Sequence, residues 1–355
     1  MLNGYAQGVP RRWHSIAAAL AIAVGLAQAA AQNSDPLFGP DGVAPQAVRQ
    51  GVLGSCYFHA SIASLAQAAP ETLKNAISVD PGGGYRVQFF DGPAEQVFAE
   101  DVEYGKAHDY DSSQGKWVLV LMRAYAQRTV RLTLVDAVQQ STLIPPLAKP
   151  LALSWLDQSG PLLVAYDRTI RSLIQQDGIL NKAALKKKLD DQLKLLGVPE
   201  METQMLEGFL DEQGFFDALT LAVEQNGEVF GDYKGMGQGG IPERVMQAFL
   251  GHASTGIVAT DKQLPEQLRQ LHARKLAMVA STWSEAPSAE FEASGADWWV
   301  ANHAYSVLDY DPSAQTVSLR NPWGRRPGPD GSFTLPLSVF LRGYQIYFHA
   351  ESGAQ

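Results

Sequence analysis

Apolar residues recur at helical spacing after position 56, where Ile62, Leu65 and Ala69 fall on one face. Gly51 and Gly54 lead into that run, and the pattern predicts a helix whose first turn holds Cys56. A second helical period lies mid-chain. Leu185, Leu189, Leu193 and Leu196 keep one apolar stripe, Lys186 to Lys188 and Asp190-Asp191 take the other face, and Gly197 supplies a stop. The lysine run there reads as a solvated helix face. Further amphipathic runs at 162–175 and 201–210 flank the stripe, and Pro145, Pro146 and Pro150 suit a linker into it. Near the C-terminus the pattern changes to strands. Asn302 to Tyr310 reads as a strand with His303 at its start, and Val317 to Gly324 as a second strand ending in a polar corner. The segment between them carries Asp-Pro-Ser turn chemistry. An antiparallel pair is therefore predicted, and it brings His303 near Asn321.

Composition narrows the class. The chain has 355 residues, 46% hydrophobic and 18% charged, which fits a well-packed globular fold of one two-lobed domain plus an insert. A formal charge of −9 with no basic stripe argues against a nucleic-acid partner. Arg11-Arg12, an apolar run from Ile16 to Ala27 and the small residues that follow read as a secretory signal over residues 1–31. The run is too short and alanine-rich for a membrane span, although an uncleaved signal would act as an anchor. Export to the periplasm or medium is the expectation, and oligomeric state is not readable.

Cys56 is the only cysteine, so no internal disulfide can form. A lone cysteine is either a small buried hydrophobe or a nucleophile. A thiol in the first turn of a helix feels the positive end of the backbone dipole, which lowers its pKa toward a thiolate. Nucleophilic use also needs a histidine to share the proton, a group to orient the ring and donors for an oxyanion. Of seven histidines, His303 is the one with an amide partner, Asn321, placed this way.

These pieces together resemble the calpain family of papain-like cysteine proteases. Gln50 to Leu65 (QGVLGSCYFHASIASL) is similar to that family's cysteine box, His303 to Val307 to its histidine box, and Leu319 to Gly324 to its asparagine box. Trp117 to Ala126 and Gly231 to Gly240 are similar to the connecting region. Ser55 and Tyr57 depart from the acidic or Asn residue and the Trp often seen beside this cysteine. The resemblance implies an α+β fold with a papain-like two-lobed core: a helical lobe with the cysteine helix and an antiparallel β lobe with His303 and Asn321. His303 follows Cys56 by 247 residues, whereas papain-like enzymes place it about 130–150 residues on. The surplus maps to the helical stretch between the blocks. The expected organisation is a signal at 1–31, the cysteine-bearing lobe at 32–127, a helical insertion at 128–229, the remainder of the helical lobe at 230–252 and the β lobe at 253–355.

The resemblance implies a cysteine endopeptidase acting on polypeptides through Cys56, His303 and Asn321. The thiolate attacks the scissile carbonyl, His303 holds the ion pair as imidazolium, and Asn321 fixes the ring. Gln50 is the implied oxyanion residue, together with the Cys56 backbone N–H. Trp323 is implied to cover the His303–Asn321 hydrogen bond, while Gly239 and Gly240 with Gly237 approach substrate backbone. Trp299 and Trp298 are cleft candidates, with core packing as the plainer reading. No metal ligand or cofactor is assigned. Calcium remains open as a regulator of calpain type, with Glu100, Asp101, Asp109 and Asp111 as acidic loop residues but no complete helix-loop-helix calcium motif. Two other readings share the residues: a papain-like acyl transferase, and an inert peptide-binding module that keeps the fold without turnover.

Overall fold

The computed structural model describes residues 36–80, 83–140, 233–258, 261–285 and 299–351, with isolated helical positions between 153 and 208. The expected signal at 1–31, the leucines of the mid-chain stripe, the run at 162–175 and Trp298 lie outside the described residues.

After a short 3-10 turn at Pro45–Ala47, Cys56–Ala68 forms helix α1. It stops there because Ala69 precedes Pro70, whose ring disfavours helical geometry in the residue before it. Ala69 accordingly takes φ −143° and ψ 58°, and it caps α2 (Pro70–Ala76) rather than extending α1. Three short strands follow, β1 (Ile77–Val79), β2 (Tyr85–Val87) and β3 (Glu95–Val97), paired antiparallel in that order. Helices α3 (Ala99–Ala107) and α4 (Trp117–Gln140) come next. α4 runs straight through position 127, where the sequence reading sets a boundary. Later in the chain lie α5 (Tyr233–Met236) and α6 (Pro242–Leu250), the latter opened by a proline whose missing N–H costs nothing in a first turn.

The remaining elements build the second half: β4 (Ser254–Ile257), α7 (Leu264–Arg274), β5 (Ala277–Ser281), β6 (Ala304–Asp311), β7 (Thr316–Arg320), β8 (Ser332–Pro336), α8 (Leu337–Gly343) and β9 (Ile346–Ala350). The strands form one antiparallel sheet in the order β4-β9-β5-β6-β7-β8. Mixed helices with antiparallel sheets are consistent with a two-lobed α+β arrangement.

Alternation along β5 decides how the halves meet. Ala277 and Val279 enter the core built on α1, α2, α4 and α6, while Met278 and Ala280 enter a second core under α7 and α8. The strand is buried on both faces, so it shows a continuous apolar run rather than a polar alternation. Helix α1 is also enclosed, with Tyr57 to Ala66 all buried. Its small residues let the sheet come close enough for hydrogen bonds. Ser306 Oγ donates to Ala60 O at 2.8 Å, and Ser64 Oγ lies 2.9 Å from Met278 O and accepts Met278 N–H at 2.6 Å.

Candidate active site

Cys56 opens α1, where first-turn N–H groups have no acceptor within the helix. Its thiol is partly buried. Burial pushes its pKa above the ordinary thiol value, opposed by backbone hydrogen bonds at Ala304, Tyr57 and Cys56 itself. The helix-start expectation of a lowered pKa is thus corrected. Nearby N–H groups do favour the thiolate, but loss of hydrating water outweighs them. Ala304 directly follows His303, so the thiol stands at the mouth of β6.

β6 begins one residue after His303, and Asn302 just before it turns the chain with a φ of 50°. Asn tolerates this left-handed geometry better than most side chains. His303 Nε2 lies 3.0 Å from Asn321 Oδ1, and the same oxygen accepts the Trp323 backbone N–H at 3.1 Å. A backbone N–H only donates, so the Asn321 atom between them must be the oxygen. Nε2 therefore carries a proton, and in the neutral ring Nδ1 keeps its lone pair. The β6–β7 pairing supplies this approach, with Ser306 opposite Arg320. Trp323 stacks a tilted ring 4.8 Å from the imidazole, and Tyr305 meets it edge-on at 4.9 Å.

His303 is 6% exposed, and desolvation pushes its pKa down to about 4 against the opposing Asn321 hydrogen bond. Burial thus works against the expected imidazolium–thiolate pair, lowering the pKa of His303 and raising that of Cys56. Burial penalises each charge separately, and the surrounding hydrogen bonds return only part of that cost.

Gln50 approaches the same corner by its backbone, donating its N–H to Pro322 O at 2.8 Å. Its side-chain Nε2 donates to Leu53 O at 2.6 Å, and its Oε1 is buried without a hydrogen-bond partner among the described residues. Arg320 adds a second tie, donating from Nη2 to Val48 O at 2.5 Å. The glycine loop lies against the start of α1. A Cβ on Gly54 would come within 2.6 Å of Gly237 O, and one on Gly240 within 2.4 Å of the Tyr57 ring. Gly239 is exposed with a φ of 88° and open space around it. Trp299 is half-buried, with its indole N–H on Gly343 O at 2.6 Å, which anchors it to the end of α8.

Sequence reasoning missed Thr282. Its Oγ accepts the His303 backbone N–H at 3.0 Å while its own N–H donates to His303 O at 3.0 Å. Nothing local in Ser281-Thr282-Trp283 signals this, because the partner is 21 residues away. The acidic residues considered for calcium do not form a ligand set. Asp101 pairs with Arg123 at 3.4 Å, Asp111 pairs with His59 at 3.1 Å, and among the described residues no three His, Cys, Asp or Glu converge on one point. No helix among the described residues is long and apolar enough to cross a membrane.

A thiol opening a buried helix and hydrogen-bonded at Ala304, next in sequence to a histidine that donates to an asparagine, makes a candidate site of cysteine-nucleophile type. Residues 27–138 match the family model of the calpain family cysteine protease, so the resemblance to that family stands over this segment. Gln50 and Cys56 fall inside the matched residues, and His303 and Asn321 beyond them. No curated protein matches the chain. Among solved structures, the crystal structure of PepW from Lactobacillus rhamnosis HN001 is similar at 11% identity and a TM-score of 0.30, covering 89% of this chain and 80% of that one.

Proposed function

We propose that the protein is a papain-like cysteine endopeptidase of calpain type, hydrolysing peptide bonds with Cys56 as nucleophile, His303 as general base and acid, and Asn321 as orienting residue. The observation that carries this reading is the His303 Nε2–H donated to Asn321 Oδ1, which leaves Nδ1 as a base. With both partners neutral, the Cys56 proton passes to His303 Nδ1 as Sγ attacks the carbonyl carbon. The tetrahedral intermediate collapses to a thioester, and the leaving amine takes the proton from His303. Water then attacks the thioester, losing its proton to the same nitrogen, and the carboxylic acid departs with Cys56 regenerated. The Cys56 backbone N–H and the second hydrogen on Gln50 Nε2 are the oxyanion donors, each typically worth about 3 kcal/mol in the transition state. Trp323 shields the His303–Asn321 bond from water, which strengthens it.

The test uses an unstructured protein substrate and an epoxide probe directed at thiols. Cleavage and labelling are expected in the parent, and both are expected to vanish in Cys56→Ala. Unchanged cleavage by Cys56→Ala would rule the mechanism out.

A further inference from the structure

Behind the cysteine lies a buried hydrogen-bonded polar pair that the mechanism above does not use. His59, one turn along α1, is 0% exposed, and its Nε2 lies 3.1 Å from Asp111 Oδ1, whose side chain is 1% exposed. On its other edge, Nδ1 lies 3.0 Å from Ser55 O and 3.1 Å from Ser55 Oγ. Ser55 immediately precedes Cys56, and its side chain makes no capping bond to the first turn of α1. Asp111 is held in turn by Ser113, whose hydroxyl lies 2.5 Å from Oδ1 and whose N–H lies 3.2 Å from Oδ2. Ser113 Oγ then accepts the Arg49 N–H at 2.7 Å, and Asp111 pairs by its backbone with Gln50. One chain of hydrogen bonds thus runs from the residue before Cys56 to the residue before Gln50.

The chemistry of the pair sets its geometry. A carboxylate can only accept, so Nε2 carries a hydrogen toward Asp111. Nδ1 then takes the Ser55 hydroxyl hydrogen, or with a second proton donates to Ser55 O; either arrangement ties the imidazole to Ser55. Burying this pair costs desolvation that a leucine at position 59 would avoid. What polar groups supply and apolar ones do not is direction. Gly51 tightens the same junction, since a Cβ there would fall 1.9 Å from Asp109 O, and Val52 N donates to that oxygen at 2.8 Å.

We infer that His59 and Asp111 are a positioning pair, setting the Cys56 thiol and the Gln50 amide at one fixed separation so that both address the same carbonyl group. The role of Gln50 in this statement rests on the peptidase reading, whereas the hold on Cys56 does not. The double variant His59→Leu/Asp111→Asn removes the direction without stranding a buried charge, and the amide it introduces keeps a partner for Ser113. His59→Gln keeps a donor toward Asp111. Folding is followed by thermal melting, turnover by kcat and KM on a peptide, and thiol placement by the iodoacetamide labelling rate of Cys56. The folded double variant is expected to lose about tenfold or more in kcat with KM within about twofold, as misplacement of a reacting group predicts. Its labelling rate should shift by about threefold or more, and His59→Gln should restore most of both values. Parent-like kcat and labelling in the folded double variant overturn the inference, as does failure of His59→Gln to recover either. If the double variant does not fold, His59→Asn, whose shorter amide cannot span from Asp111 to Ser55, carries the same readouts, and it must lose more in kcat and labelling than His59→Gln; equal values overturn the inference. A labelling shift in proteins that cleave no peptide keeps the positioning pair and removes the peptidase reading instead.

Discussion

Asn321 Oδ1 accepts two hydrogens, one from His303 and one from the Trp323 backbone, and this fixes where the site's protons stand. The chemistry of Cys56 follows from a similarly local balance. Its pKa is raised because burial removes more stabilisation from the thiolate than the N–H groups of Ala304 and Tyr57 restore. The iodoacetamide labelling rate should therefore climb with pH and reach half its plateau above the ordinary thiol value of about 8.5. A plateau already reached near neutral pH would show a preformed thiolate. Asn321→Ala should keep the fold and lower kcat by about 10- to 100-fold, since the ring loses its fixed tautomer while Cys56 remains. Steady-state kinetics on the purified variant checks this. Cys56, His303 and Asn321 could be nominated as candidates from sequence because each sits in a dense local motif. Their protonation was not, because it depends on burial by groups far along the chain.

The β6–β7 hairpin is the element that sequence described best, since strand alternation and the turn after Asp311 are local. Asp311 Oδ1 accepts the Ser313 and Ala314 N–H groups at 2.8 and 3.0 Å, the turn chemistry that its position suggested. The end of α1 was less exact, because spacing alone carried the apolar face to Ala69 while Pro70 ends the helix one residue earlier. The burial of α1 on all sides was not legible at all. Its Ser64 hydroxyl and Ala60 carbonyl bond to strands that lie more than 200 residues away. Ser64→Ala strips the acceptor from the Met278 N–H inside that contact, and should lower unfolding free energy by about 1–3 kcal/mol. Urea denaturation of the variant measures the loss, and an unchanged midpoint and slope would show that the N–H has found another acceptor.

For the molecule as a whole, burying a neutral histidine at the junction of the halves makes stability depend on acid. The folded pKa of His303 is about 4, below its ordinary 6.5, so the unfolded chain takes up a proton first as pH falls. This contribution is complete above about pH 6.5 and disappears between there and about pH 4, a loss of about 3 kcal/mol. His303→Gln carries no such proton, so its urea midpoint should fall less than the parent's between pH 7 and pH 4.5. Equal falls in both would place the acid sensitivity elsewhere. Taken by itself, the sequence nominated the candidate residues Gln50, Cys56, His303 and Asn321, and determined an α-helix begun at the cysteine and a hairpin joining the last two. These follow from short-range spacing, capping and turn preferences, which the chain carries wherever it lies. Tertiary structure alone decided that burial raises the thiol pKa and lowers that of the imidazole, that Thr282 holds the His303 backbone, and that His59 and Asp111 join the cysteine to the Gln50 segment. Each of those depends on desolvation or on hydrogen bonds between residues tens to hundreds of positions apart, and no local pattern encodes such distances.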